Sequence, residues 1–180
     1  MIEVLKQISR WFLLVLLQII VFNRIGFYSL FNPFIYIFFI LMLPLATPRS
    51  LLLILAFITG LTVDIFSNTG GLHAFASTLI AFVRPFWIQI AIPRSNYDDL
   101  SNIKLKEVEF GQFIAYSSVI LLLHHFVLYL TESLAWGDLL LIIGKAIINT
   151  LISLLAIIAF RYFDLSSSKK AWIKTAAFSS

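Results

Sequence analysis

The chain has 180 residues, of which 61% are apolar and only 12% are Asp, Glu, Lys or Arg. Soluble domains carry about 25% charged residues, so a chain with a mean hydropathy of +0.98 lacks the polar surface that water requires. This composition excludes a soluble enzyme, a disordered chain and a disulfide scaffold, and it predicts a polytopic membrane protein. Because there is no cysteine, thiolate metal sites and cysteine nucleophiles are excluded as well.

Hydrophobic segments of helical length follow one another along the chain. The first is preceded by Lys6 and Arg10 but is followed by no small-residue cleavage site, so we interpret it as a retained helix and not as a signal peptide. The second ends before Pro48, which cannot continue a helix. Most segments are too long for the strands of a barrel. The predicted fold is an all-α bundle of six transmembrane helices at about 5–22, 30–46, 50–66, 72–92, 111–130 and 138–163.

The basic residues predict how this bundle is oriented. If the N-terminus is cytoplasmic, ten of the eleven Lys and Arg residues outside the helices lie inside, and only Arg24 lies outside. We therefore predict a single membrane domain, 1–165, with both termini and the polar loop 94–110 in the cytoplasm. The basic tail, 166–180, either lies on the anionic inner leaflet through its Lys residues and Trp172 or is a disordered end.

Ionisable side chains within the predicted helices need an explanation, because each costs about 2.5 to 3.5 kcal/mol to insert. Topology places most of them in the outer half of the bundle, while Arg84 lies deeper. Mutual pairing that holds helices together is the simpler interpretation, and an outward-opening pocket or partner site is the alternative. The predicted polar cluster comprises Asp64, His73, His124, His125, Lys145 and Asn149.

Small residues in the third and fourth segments predict the closest helix contact in the bundle. The first segment is different, since it contains no Gly, Ala or Ser between Trp11 and Phe22. The predicted packing residues are Ala56, Gly60, Gly70, Gly71, Ala74 and Ser77.

The familiar catalytic motifs are absent from the sequence. The glycines before Lys145 have the wrong spacing for a phosphate-binding loop. His124 and His125 are adjacent, so they point about 100° apart on a helix and cannot form the i, i+4 zinc pair. The polar loop is too short and too balanced in charge for nucleic acid. We therefore expect no enzymatic activity, no cofactor and no metal site.

Two consecutive stretches resemble a known family. Gly60-Leu61-Thr62-Val63-Asp64 is followed by Gly70-Gly71-Leu72-His73-Ala74-Phe75, and this pattern is similar to the central motif of the MreD family. That family comprises small six-helix subunits of the bacterial rod-shape and cell-wall elongation machinery. The resemblance implies a non-enzymatic protein of the bacterial cytoplasmic membrane. It also implies binding to MreC, a bitopic partner, which helps connect MreB filaments to peptidoglycan synthases.

Two other functions remain open. The MreD family is similar in fold to the substrate-binding components of energy-coupling-factor transporters, so a small-molecule-binding transporter subunit is the alternative. Those subunits generally use small residues on their first helix to slide against a partner, and the first segment here lacks them. The other hypothesis is an enzyme that acts on a lipid-linked precursor, with Asp64 and His73 as its acid/base pair.

If the chain instead binds a bitopic partner, we expect that partner to reach the outer ends of the helices, at Glu132, Asp138 and the turn 68–71.

Overall fold

A computed structural model of the chain describes residues 2–25, 32–93, 108–133 and 139–177, and every regular element in these ranges is helical. The first helix, α1, continues into a π-helical segment, Gln18–Phe22, and a last turn, Asn23–Ile25. A short second helix precedes four long ones. The bounds are α1 Ile2–Leu17, α2 Ile37–Met42, α3 Arg49–Ser67, α4 Leu72–Ala91, α5 Phe110–Ser133 and α6 Leu139–Ala177.

The all-helical character of the described residues is confirmed, and five helical stretches are long and apolar enough to cross a membrane, which is consistent with a membrane protein. They have 19 to 24 residues each, and large apolar side chains such as Ile65, Ile90 and Leu140 are exposed along them. These side chains would be costly in water and are suited to lipid. The five stretches are Val4–Phe22, Arg49–Ser67, Leu72–Ala91, Phe110–Ser133 and Leu139–Tyr162.

The second predicted helix, about 30–46, differs most from the prediction. Only α2 is α-helical within its described part, although residues 33–43 are all buried. Irregular backbone at membrane depth is tolerated only where protein surrounds it and satisfies its polar groups. Hydropathy detects the apolar run but cannot distinguish such a buried segment from a lipid-facing helix.

This buried segment runs alongside α4 through the interior. Tyr36, just before α2, contacts His73 at the start of α4. The carbonyl oxygens of Leu41 and Leu43, at the end of α2, accept hydrogen bonds from Arg84. Because Arg84 follows His73 by eleven positions on α4, the segment covers a depth of about 16 Å.

The α3–α4 hairpin is the most extensive helix pair among the described elements. Gly60 packs directly on the backbone of α4, where an added Cβ would lie 2.4 Å from the carbonyl oxygen of His73. The remaining predicted packing residues on these helices, Ala56, Ala74 and Ser77, are buried. The helices therefore approach closely where the small residues predicted it.

Gly70 and Gly71 lie in the turn 68–71 between the two helices and not on a packed helix face. Their φ angles are +61° and +99°, and an added Cβ would meet no atom within 4 Å at either residue. They form the turn between the helices in a left-handed backbone conformation, which glycine adopts without steric cost. Neither glycine packs against the neighbouring helix.

The sixth helix is longer than the predicted 138–163. α6 continues to Ala177 and has 39 residues, which is about 58 Å at 1.5 Å per residue and exceeds the roughly 30 Å hydrocarbon core. The first part of the predicted tail is thus helical backbone. Predictions for residues 94–107 and for Asp138 lie outside the described residues.

Candidate functional site

The hydroxyl group of Tyr36 is the centre of a buried polar cluster. It lies 3.0 Å from Nδ1 of His73 on α4 and 2.7 Å from Nε2 of His124 on α5. Ser77, one turn after His73, donates to the same oxygen at 3.4 Å. The buried segment before α2 thereby joins α4 to α5, and two of the predicted histidines come together through a tyrosine that the sequence analysis missed.

The hydrogen-bond partners of His73 and His124 determine their tautomers. The single hydroxyl proton of Tyr36 serves one histidine, so the other must donate its N–H to the Tyr36 oxygen. Nδ1 of His124 is buried without a partner among the described residues, and an orphaned acceptor is more readily tolerated than an orphaned N–H. We therefore assign Nε2–H donation from His124 and acceptance at Nδ1 of His73, which leaves Nε2–H of His73 as a donor.

His125 is occupied by a separate chain of hydrogen bonds. Its Nδ1 lies 2.7 Å from the carbonyl oxygen of Leu121, so this nitrogen carries the proton. Its Nε2 is then an acceptor for the hydroxyl of Ser153 at 3.3 Å, and Ser153 in turn accepts from the backbone N–H of Phe34 at 3.0 Å. His125 therefore links α5, α6 and the segment before α2 as a structural group.

Asp64 caps the start of α4. Its carboxylate accepts hydrogen bonds from the backbone N–H groups of His73 and Ala74, at 3.0 and 2.8 Å, and from the hydroxyl of Thr69. A carboxylate at this position satisfies donors that the helix itself cannot satisfy and interacts favourably with the helix dipole. Asp64 is joined to the backbone of His73 and not to its imidazole ring.

Polar side chains satisfy the irregular backbone at both ends of the α2 segment. At one end, Asn149 accepts from the backbone N–H of Asn32, and Gln18 accepts from that of Ile35 at 2.8 Å. At the other end, the buried guanidinium of Arg84 donates to two carbonyl oxygens and, at 2.8 Å, to Tyr116. These contacts explain why a short helix is stable in this apolar interior.

A cavity of about 340 Å³ opens between the ends of α1, α3 and α5, the start of α4 and the chain before α2. His73 lines it, and so does Tyr129, which is only 6% exposed. The hydroxyl of Tyr129 and the side-chain oxygen of Asn32 are buried without a hydrogen-bond partner among the described residues. The cavity is further lined by Asn23, Phe34, Phe66, Ser67, Thr69, Leu72, Leu128 and Glu132.

The predicted site residues thus divide into separate roles. Of the six, His73 alone lines the cavity. Asp64 and Asn149 accept hydrogen bonds from the backbone of neighbouring elements. His124 is hydrogen-bonded to Tyr36, and His125 is hydrogen-bonded to the carbonyl of Leu121 on its own helix and to the hydroxyl of Ser153. Lys145 is half-buried on α6, and its backbone carbonyl accepts a hydrogen bond from the side-chain amide of Asn149, one turn later on the same helix. No group of three or more potential metal-ligating side chains is found within the described part of the chain.

The sequence analysis missed Tyr36, Gln18 and Asn32 as members of this region. The available signal was a set of hydrogen-bonding side chains at or within apolar segments, each of which needs a partner in lipid. Comparisons with protein-family models, with curated proteins and with solved structures found no match for this chain.

Proposed function

We propose that the chain is a non-enzymatic membrane subunit that binds a bitopic, MreC-like partner in the bacterial cell-wall elongation machinery. It crosses the cytoplasmic membrane six times, with both termini inside, and the segment 32–43 forms one crossing. Through its partner it helps couple cytoplasmic filaments to peptidoglycan synthases. This proposal rests on the resemblance of residues 60–64 and 70–75 to the MreD family and on two features of the structure.

The observation that carries the proposal is the engagement of Asp64. An enzyme acting on a lipid-linked precursor would need this carboxylate as an acid or base beside His73. Three hydrogen bonds from Thr69 and from the backbone of α4 already occupy its two oxygens. Its geometry therefore favours a scaffold over a catalytic pair, because a general base must reach the proton that it abstracts.

An exposed apolar surface on α1 is suited to contact with the transmembrane helix of a partner. Large apolar side chains recur at spacings of three or four residues and are all exposed, so they form one continuous stripe. α1 is also the least buried of the five spanning stretches. In lipid, helices associate through the fit of their surfaces and not through the hydrophobic effect. The α1 stripe comprises Leu5, Ile8, Phe12 and Leu16, and Ile20 continues it on the π-helical segment.

Recovery of the partner tests this proposal. Phe12→Ala and Leu16→Ala should each reduce co-purification of an MreC-like protein severalfold, because each removes a bulky side chain from the α1 stripe. Phe82→Ala is the matched control, since Phe82 is as exposed on α4 (59%) as Phe12 is on α1 (62%). Depletion of the protein should also round rod-shaped cells. Equal recovery for all three variants would exclude the α1 stripe as the interface.

The cavity favours a second candidate, a small-molecule-binding subunit of an energy-coupling-factor transporter. Unpartnered polar groups in a pocket of this size are typical of a ligand site. The two candidates differ in what co-purifies, because the transporter subunit would bring an ATPase module and the assembly subunit a bitopic protein with an extracytoplasmic domain. Co-purification of the ATPase module without a bitopic protein would replace the first proposal with the second.

A further inference from the structure

Four polar groups of the cavity have hydrogen-bonding capacity that the described residues do not use. The hydroxyl of Tyr129 and the side-chain oxygen of Asn32 have no partner among them. The assigned tautomer of His73 leaves its Nε2–H as a further donor, and the Glu132 carboxylate lies at the rim. A buried polar group without a hydrogen-bond partner is destabilising, so a ligand that satisfies these groups gains affinity.

Other polar groups of the lining are already engaged. The amide of Asn23 accepts from Gln18 at 2.9 Å and donates to Ser67 at 2.8 Å. The hydroxyl of Thr69 donates to Asp64. The unused groups are thus concentrated on Asn32, His73, Tyr129 and Glu132, and these residues define what a ligand must supply.

The charge of the cavity lining favours a positively charged ligand over an anion. Glu132 is the one acidic side chain of the lining, and no Lys or Arg is among the described residues that form it. An anion would face this carboxylate without a compensating cation, whereas an ammonium group would pair with it. The rings of Phe34, Phe66 and Tyr129 also favour a cation, since aromatic faces attract positive charge.

We propose that this cavity binds an organic ammonium group that carries a nearby hydrogen-bond acceptor and an apolar body. The ammonium group pairs with Glu132 and the Asn32 oxygen, and the acceptor receives hydrogen bonds from Tyr129 and His73. A free amine and the ethanolamine headgroup of a lipid share this chemistry. The inference rests on the cavity alone and stands independently of the assembly role proposed above.

Two probes with the same carbon skeleton and opposite charge test whether the cavity prefers an ammonium group to an anion. The full chain is reconstituted in nanodiscs of phosphatidylglycerol, which has no amine, and its thermal unfolding is measured with 2-amino-1-phenylethanol or with mandelate. The amine should raise the melting temperature saturably, because a ligand that binds only the folded state stabilises it. Mandelate should have no effect. An equal shift with mandelate, or no shift with the amine, would overturn the proposal.

Substitutions in the cavity lining test whether the amine binds in the cavity. Tyr129→Phe should leave the ligand-free melting temperature unchanged or higher, because it removes a hydroxyl without a partner, and it should weaken amine binding at least tenfold. Glu132→Gln should weaken it similarly and abolish the preference for the amine. Tyr162→Phe is the matched control, because it removes the same hydroxyl group from a tyrosine outside the cavity lining. Tyr162 is the last residue of the apolar stretch of α6 and is 72% exposed. Amine binding that survives both cavity variants would place the ligand elsewhere and refute the proposal.

Nanodiscs that contain phosphatidylethanolamine separate the two sources of the ligand. If the headgroup occupies the cavity, the wild-type protein gains stability in this lipid, Tyr129→Phe does not, and added amine gives no further shift. If a free amine is the ligand, the lipid changes nothing and the amine still shifts the transition. Stabilisation by this lipid that is equal in wild type and Tyr129→Phe, with no amine shift in either lipid, would contradict the proposal.

Discussion

Ser153 and Ser117 are two buried serines with opposite hydrogen-bond environments. The hydroxyl of Ser153 accepts from the backbone N–H of Phe34 and donates to His125. The hydroxyl of Ser117, on α5, has no partner among the described residues. The two positions therefore separate the cost of burying a hydroxyl from the benefit of its hydrogen bonds.

Ser153→Ala should lower the free energy of unfolding by about 1 to 3 kcal/mol, because it leaves the Phe34 N–H buried without an acceptor. Ser117→Ala should leave stability unchanged or raise it, since it removes a polar group that gains nothing from burial. Denaturation of both variants in the same detergent measures the difference. Equal effects would mean that the Ser153 contact does not hold the segment before α2.

At the scale of elements, Gly60 sets the distance between α3 and α4. An added Cβ would lie 2.6 Å from Cα of Ala74 as well as 2.4 Å from the carbonyl oxygen of His73, and both neighbours are backbone atoms that cannot rotate away. Gly144 is the opposite case, because a Cβ there would meet no atom within 4 Å. The two glycines are therefore a matched pair for testing helix packing.

Gly60→Ala should separate the helices and cost about 1 to 3 kcal/mol through overpacking, and Gly60→Leu should cost more. Gly144→Ala should be neutral or slightly stabilising, since alanine favours the helix. Melting temperatures of the purified variants report the difference. A Gly60→Ala variant as stable as the wild type would show that the helices are not in direct backbone contact.

The sequence predicted the elements that follow a regular pattern and missed those that depend on distant partners. Small residues at helical spacing located the α3–α4 contact, because close packing needs only local residue size. The sequence predicts a helix of about 30–46 for the α2 segment, because the groups that support its irregular backbone lie far along the chain, on Arg84, Asn149 and Ser153. Likewise, the spacing of Lys145 and Asn149 places them on one face of a helix, but it does not identify the neighbouring helix that this face contacts.

For the whole molecule, orientation across the membrane is the main prediction. With both termini in the cytoplasm, loop 94–110 lies inside and the end of α5 lies outside, as the distribution of Lys and Arg predicts. The chain has no cysteine of its own, so single introduced cysteines report accessibility without background. In intact spheroplasts, an impermeant thiol reagent should label Ser133→Cys and leave Ser101→Cys unlabelled. The reverse labelling pattern would mean that the bundle is inverted.

The contacts of the α2 segment also dictate the order in which the protein is assembled. Phe34 and its acceptor Ser153 are 119 residues apart. At about 5 to 20 residues per second, roughly 6 to 24 s of synthesis pass before that acceptor exists. During this interval the segment leaves the ribosome with backbone groups that no later helix has yet satisfied. The segment therefore reaches its full set of native contacts only after α6 has been synthesised.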